Sequence, residues 1–151
     1  MKLQLNVQYG VTHADLPAKS TLRRWAQAAL KGLRHRRAAL GVRVVGARES
    51  AALNARFRHQ RYPTNVLSFP FEAPPGPRSE ILGDLVICAP VVRQEARRQN
   101  KIFRAHWAHM VVHGILHLRG YDHRNRRDAT VMEKMEIRIL KELGYANPYL
   151  Q

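Results

Sequence analysis

The segment HGILHLRGYDH, residues 113–123, decides both the fold and the chemistry that we predict for this chain. His113 and His117 are four residues apart, so on a helix they project from one face and both imidazole rings can reach a single ion. Gly120 is the expected end of that helix, because glycine readily takes the positive φ that turns the chain back. His123 can then supply a third nitrogen ligand.

Three neutral nitrogen ligands leave one tetrahedral position open, which is typical of a catalytic zinc site and not of a closed structural one. A single histidine on an apolar helix is usually a core residue. Three histidines at this spacing, with a glycine at the turn, are far more characteristic of a metal site. We therefore predict that His113, His117 and His123 bind one zinc ion per chain.

Two more histidines lie on the same helical stripe, so spacing alone does not settle the ligand set. His109 and His113 are also four residues apart, and His106 precedes them. We prefer His113 and His117 because only this pair is close enough to the glycine turn for His123 to complete the site. His106 and His109 are then expected to be core histidines or neighbours of the ligands, with substrate contact the less favoured alternative.

Acidic residues near this segment have fewer clear roles. Asp84 and Asp122 are candidates to orient a ligand imidazole, although an aspartate in a turn is as often only a local cap. Zinc proteases with a related histidine skeleton carry a glutamate directly after the first histidine as general base. Gly114 occupies that position here, so peptide hydrolysis by the usual route is not expected.

The charge of the chain indicates a polyanionic partner. The 151 residues include 26 Lys+Arg and 11 Asp+Glu, a net charge of +15, and the sequence pI is near 11.2. Arginine and lysine that neutralise phosphates release counterions, and such a high pI is common in nucleic-acid-binding domains. A solvated arginine-rich surface is the plainer interpretation, and an anionic membrane surface would attract the same charge.

Composition and patterning indicate one cytoplasmic globular domain, residues 1–151. Cys88 is the only cysteine, which excludes an internal disulfide and a cysteine-based zinc site and suits a reducing compartment. The first ten residues alternate apolar and polar side chains, as a strand does and a signal peptide does not. No stretch approaches the roughly 20 apolar residues that a membrane span needs.

Hydrophobic periodicity predicts an α/β (α+β) domain in which a small mixed sheet packs against several helices. Strands are predicted at 1–10, 41–47, within 62–74 and at 81–89, and helices at 21–37, 50–58, 89–100, 103–119 and 128–143. Ser20 or Thr21 is the expected cap of the first helix. Pro70 marks its strand as an edge strand, whereas 81–89 is apolar enough to be central. A loop is predicted at 74–79.

Three stretches carry a family resemblance: LNARFRHQRYPTNVLSFPFE (53–72), LGDLVIC (82–88) and HMVVHGILHLRGYDH (109–123). In this order and spacing they resemble the YbeY family of bacterial zinc-dependent endoribonucleases and ribosomal RNA maturation factors. The resemblance implies a single zincin-like domain with zinc on the three histidines. It also implies single-stranded RNA as substrate and a role in small-subunit ribosomal RNA maturation and ribosome quality control. The implied partners are the small ribosomal subunit and ribosome-associated proteins.

The resemblance also assigns a catalytic role to Arg58, which lies where the family has an arginine important for activity. Phe57 is a local departure, since tyrosine is common there. Arg58 and the zinc ion would together bind and neutralise a phosphodiester. Considered without the resemblance, Arg58 is an ordinary cation at the end of a helix.

Two further functions remain open from the sequence. One is a non-catalytic RNA-binding ribosome assembly factor in which the metal stabilises the fold. The other is a metallopeptidase-like amide hydrolase, which the histidine skeleton favours and which Gly114 and the net charge of +15 disfavour.

Overall fold

Four strands and five helices form the part of the chain that the computed structural model describes, residues 1–76 and 80–150. In chain order they are β1 (Lys2–Tyr9), α1 (Lys19–Ala29), β2 (Arg37–Val45), α2 (Ala47–Arg58), β3 (Val66–Pro70), β4 (Ile81–Cys88), α3 (Ala89–Arg98), α4 (Phe103–Leu118) and α5 (Arg126–Glu142). Residues 77–79 of the predicted loop lie outside the described residues.

The strands form one mixed sheet in the order β1-β2-β4-β3. β1, β2 and β4 are parallel, and β3 pairs antiparallel with β4. Pro70 lies on the edge strand, where its missing N–H breaks no ladder, and the apolar β4 lies inside the sheet. The predictions of a mixed sheet, an edge strand at Pro70 and a central strand at 81–89 are confirmed, with the last of these strands ending at Cys88.

The main core lies between the sheet and the helices α1, α4 and α5. Leu3 and Leu5 of β1 enter it, as do the fully buried Trp25 and Trp107. α4 is buried almost all round, as its apolar composition predicts. A smaller cluster packs with Leu53 of α2 and consists of Val45, Leu67, Val86 and Cys88. None of the helices in residues 1–76 and 80–150 is long and apolar enough to cross a membrane.

The prediction for the first helix is wrong at both ends. α1 begins at Lys19 behind Ala18, which provides no side-chain cap, so Ser20 and Thr21 lie inside the first turn. The helix ends at Ala29, and Gly32 takes a φ of +87°. The following residues do not stay helical because Arg37 pairs with Lys2 at the start of the parallel ladder.

Other boundaries differ by a few residues. α2 begins at Ala47, earlier than predicted. α5 begins at Arg126 because the side chain of Asn125 accepts a hydrogen bond from the backbone N–H of Asp128 at 2.8 Å. Phe71, predicted to lie on the third strand, follows its end and is exposed.

Gly83 lets β3 lie close to β4. Its φ is +138°, and a Cβ at this position would lie 2.2 Å from the backbone oxygen of Phe69. Leu118 of α4 and Pro70 of β3 would both lie 3.0 Å from the same Cβ. Only glycine satisfies the backbone conformation and the close contact together.

We expect Gly83→Ala to lower the free energy of unfolding by about 2 kcal/mol or more, because it adds backbone strain to a clash with main-chain atoms. Gly46→Ala is the matched control. Gly46 has a φ of −89°, and its added Cβ would meet only Val11, at 3.2 Å. Urea denaturation of both variants measures the difference. Equal stability of Gly83→Ala and the unmodified protein would contradict this explanation.

Candidate metal centre

Four histidines follow one stripe of α4 from the core to an open cleft. His106 and His109 are buried, with 4% and 7% of their surface exposed. His113 and His117, one and two turns further along, are half-buried. The stripe therefore carries its imidazoles out of the core towards the carboxyl end of the helix.

The turn after α4 brings His123 back to the helix. Gly120 has a φ of +99°, and its N–H donates to the carbonyl of His117 at 3.0 Å. The N–H of Tyr121 donates to the carbonyl of Leu116, also at 3.0 Å, which completes a Schellman motif. The centroid of the His123 ring then lies 5.1 Å from the centroid of the His117 ring. The expected turn at Gly120 is confirmed.

The ring nitrogens of the three histidines converge. The Nε2 atoms of His113 and His117 are 3.2 Å apart, and one ring nitrogen from each of His113, His117 and His123 lies within 4.8 Å of the others. Nitrogen ligands that share a tetrahedral zinc ion at its usual bond length are about 3.3 Å apart. The donor set and its spacing therefore fit a divalent metal ion.

A buried carboxylate lies behind this cluster. Glu136 of α5 is 1% exposed, and its Oε2 atom accepts hydrogen bonds from His109 Nε2 at 2.6 Å and from His113 Nδ1 at 3.1 Å. Its Oε1 atom accepts from the hydroxyl of Tyr149 at 2.7 Å. Glu136 and Tyr149 were not among the residues predicted from the sequence. The available signal was a carboxylate within the apolar stripe of α5, one turn after Met132.

The surroundings fix the charge states of these groups. Burial alone would raise the pKa of Glu136, but the hydrogen bonds from His109 and His113 outweigh it and bring the pKa to about 2. Burial raises the pKa of Tyr149, and its bond to Glu136 raises it further. Burial lowers the pKa of His109 and of His117. At neutral pH Glu136 is ionised, and His117 is neutral, as a metal ligand must be.

The two aspartates considered as orienting groups do not orient an imidazole. Asp84 lies on the opposite side of the sheet, where it lines a separate cavity of about 390 Å³ beside Gly41 and Phe57. That expectation was wrong because neighbouring residues in a strand point to opposite faces. Asp122 accepts a hydrogen bond from the backbone N–H of His123 at 2.8 Å. It is therefore a local cap of the turn, which was the alternative role given for this aspartate.

His106 pairs with a different carboxylate, that of Glu95. Its Nε2 atom lies 2.9 Å from an oxygen of Glu95, which also accepts from the side-chain amide of Asn65 at 3.2 Å. This pairing holds His106 in the core, away from the three converging rings, as the sequence led us to expect.

The three histidines and Arg58 line the same cleft, which has a volume of about 540 Å³. Arg58 is the last residue of α2, and its guanidinium makes no hydrogen bond or ion pair within residues 1–76 and 80–150. The other lining residues are Thr64, Asn65, Val66, Ser68, Pro70, Gly120, Tyr121, Asp122 and Arg124. In the described part of the chain, Asp122 supplies the only carboxylate of this lining.

Gly114 does not face the cleft. A Cβ at this position would lie 2.7 Å from Leu85 and 3.3 Å from Val66, both of which belong to the sheet. The carboxylate that zinc proteases carry after their first histidine therefore has no room here without displacing core side chains.

The sequence matches the family model described as Endoribonuclease YbeY over residues 7–144. The chain belongs to the YbeY family. It is 57% identical to the Endoribonuclease YbeY of Alkalilimnicola ehrlichii over 97% of this chain and 91% of that protein. It is 50% identical to the Endoribonuclease YbeY of Stenotrophomonas maltophilia, over 99% of this chain and 94% of the relative.

A solved structure shares the fold. The solution structure of TM1509 from Thermotoga maritima matches with a TM-score of 0.59 at 24% identity, covering 98% of this chain and 100% of that protein. The predicted YbeY resemblance and the α/β fold are confirmed. The enzyme class predicted for the chain, a hydrolase acting on RNA, is confirmed through its family. YbeY proteins are metal-dependent, and the histidine and glutamate cluster is a candidate metal-binding group.

We expect the metal-free protein to lose stability as the pH falls below about 6.5. Burial lowers the pKa of His109 and His117 in the folded state, so below that pH the unfolded chain binds more protons than the folded one. Protonation therefore favours unfolding, and the stability is recovered as the pH rises. Urea denaturation in the presence of a chelator, at about pH 7.5 and about pH 5.5, measures this dependence.

His117→Gln removes one of the two groups and is expected to make the dependence shallower. A free energy of unfolding that is the same at both pH values would contradict the assignment.

Proposed function

We propose that this chain is a zinc-dependent endoribonuclease that cleaves single-stranded RNA in the cleft between α2, β3 and the turn after α4. One domain, residues 1–151, would carry the whole activity. His113, His117 and His123 would hold the ion and Arg58 would contact the RNA phosphate. The observation that carries the proposal is the convergence of three ring nitrogens within 4.8 Å beside an arginine that has no hydrogen-bond or ion-pair partner among the described residues.

Zinc is the ion that the donor set favours. Three imidazoles without a thiolate or a carboxylate suit zinc and other borderline metals, whereas magnesium and calcium prefer oxygen ligands. A bound divalent ion would polarise a phosphoryl oxygen and offset the charge that develops during phosphoryl transfer. The low pKa of the buried Glu136 and the lowered pKa of His117 support metal binding at neutral pH.

Arg58 is suited to hold the phosphate. A guanidinium presents a planar fork of donors that matches two phosphate oxygens, and in the part of the chain that the structure describes Arg58 forms no ion pair with a carboxylate. Its charge would act most strongly on the transition state, where negative charge accumulates on the phosphoryl oxygens. Gln60 and Asn54 stabilise its position indirectly, since the N–H of Gln60 closes the end of α2 on the carbonyl of Asn54.

The net charge of +15 supports RNA as the substrate class. Basic side chains outside the cleft can hold the phosphate backbone without reading sequence. We further propose that the chain acts in small-subunit ribosomal RNA maturation and ribosome quality control. Its partners would be the small ribosomal subunit and ribosome-associated proteins in the cytoplasm. These last points rest on family membership, which the two Endoribonuclease YbeY relatives establish.

Purified protein is expected to contain one zinc ion per chain and to cut single-stranded and ribosomal RNA in preference to double-stranded RNA. His113→Ala, His117→Ala and His123→Ala should each lose the ion and the cleavage together, because each removes one of three ligands. Elemental analysis and a cleavage assay on the same preparations measure both properties.

His35→Ala is the control, since His35 precedes β2 and does not line the cleft. It should keep both ion and activity. Full metal retention in all three ligand variants would rule out the assigned centre. Metal-loaded protein without cleavage would instead favour the RNA-binding assembly factor.

Arg58→Ala is expected to keep the zinc ion and the fold but to lower kcat for RNA cleavage by about 100-fold or more, as removal of a transition-state donor does. RNA affinity should change little, because many other cations remain. Arg58→Lys should recover only part of the rate, since it keeps the charge and loses the fork.

Arg56→Ala is the matched control. Arg56 lies in the same last turn of α2, over the ring of Phe57, and does not line the cleft. If Arg58→Ala keeps its zinc and cleaves RNA at the native rate, the catalytic assignment is wrong. Arg58 is then an ordinary cation at the end of a helix, as in the alternative interpretation.

A further inference from the structure

The hydrogen bond between Glu136 and His113 determines which nitrogen of His113 faces the cluster. An ionised carboxylate only accepts hydrogen bonds, so the Nδ1 atom 3.1 Å from Glu136 Oε2 carries the ring proton. The Nε2 atom is then unprotonated and lies 3.2 Å from His117 Nε2. The carboxylate therefore selects the tautomer that a metal ligand needs at this position.

Glu136 is itself held from three sides. Its two oxygens accept from His109, His113 and Tyr149, at 2.6, 3.1 and 2.7 Å. Tyr149 belongs to the segment after α5, and its ring packs edge-on against His109 with centroids 5.5 Å apart. A carboxylate that is 1% exposed and has three donors cannot turn without leaving at least one of them unsatisfied.

We propose that Glu136 is a positioning residue of the metal centre, which fixes the tautomer and the ring orientation of His113, and that Tyr149 anchors Glu136. The inference rests on the metal centre proposed above. Glu136 does not line the cleft of about 540 Å³, and of the three converging histidines it hydrogen-bonds only His113 within residues 1–76 and 80–150.

The same atoms allow a competing assignment. His109, His113 and Glu136 also have ligand atoms within 4.8 Å of one another, as a second cation site would require. A cation there would have to replace the protons of both N–H donors of Glu136, and it would compete with the first site for His113. The 2.6 Å contact between His109 and Glu136 is an ordinary charge-assisted hydrogen bond. We therefore assign hydrogen bonds to this cluster and not a second ion.

The test compares Glu136→Gln, Tyr149→Phe and the control Glu142→Gln for zinc affinity, measured by competition with a chelator. Glu136→Gln keeps the size of the side chain and loses the charge and one acceptor oxygen, so zinc affinity should fall by about 10- to 100-fold. Tyr149→Phe leaves both imidazole bonds in place and should cause a smaller loss. Glu142 lies at the exposed end of α5, and its variant should bind zinc as the unmodified protein does.

A second measurement separates positioning from general stability. In metal-free protein with ¹⁵N-labelled histidine, the imidazole nitrogen shifts report which nitrogen of His113 carries the proton. The unmodified protein should show the Nδ1–H form, and Glu136→Gln should show a mixture of forms. Thermal unfolding checks that each variant is folded. If Glu136→Gln does not fold, Tyr149→Phe still provides the test, because Tyr149 is 43% exposed and the substitution keeps the ring.

Native zinc affinity and an unchanged His113 tautomer in both Glu136→Gln and Tyr149→Phe would overturn the proposal. An equal loss of affinity in the Glu142→Gln control would also overturn it, since the cause would then be the stability of α5. The unmodified protein reports on the metal centre itself. If it fails to bind zinc through the three histidines, the proposed function fails, and the ¹⁵N measurement still tests whether Glu136 orients His113.

Discussion

The close contact between α4 and the sheet places every other part of the candidate centre. α4 packs against β3 and β4 on one side and against α1, α3 and α5 on the others. The contact is close at Gly114, where even a methyl group would meet Leu85 at 2.7 Å. A helix held this tightly cannot rotate, so His113 and His117 project at a fixed angle into the cleft. Sites built on rigid elements keep their geometry better than sites on loops.

The hydrogen-bond donors around Glu136 explain why a charged residue of α5 is tolerated in the core. A carboxylate without partners would be strongly disfavoured at the position of Glu136, and it would take up a proton instead. Three donors reverse this preference and bring its pKa to about 2. The same hydrogen bond satisfies the Nε2–H of His109, a polar group that α4 buries in the core. The polar network and the apolar packing therefore depend on each other.

The chemistry of the cleft follows from what lines it. Its lining in the described residues contains three imidazoles and two arginines but only one carboxylate, Asp122, which already caps the backbone at His123. Such a cleft offers positive charge and metal ligands and little capacity for general base catalysis by a carboxylate. This composition suits a phosphodiester better than a peptide bond, in agreement with membership of the YbeY family.

The sequence by itself determined the features that depend on neighbouring residues. Alternation identified β1, continuous apolar character identified β4 and α4, and Pro70 identified the edge strand. The convergence of the three histidines was equally local, because it requires only one helical turn and the reversal at Gly120.

The tertiary structure alone decided what depends on distant residues. Gly32, with a φ of +87°, is a local signal for the early end of α1, but the start of β2 at Arg37 depends on its pairing with Lys2 in the sheet. Asp84 lies away from the three histidines because the packing of the sheet determines which face of β4 contacts α4. Glu136 meets His113 across 23 residues of sequence and Tyr149 across 13. Periodicity identifies a buried position on each helix, but only the packing of α4 against α5 determines which buried side chains form a pair.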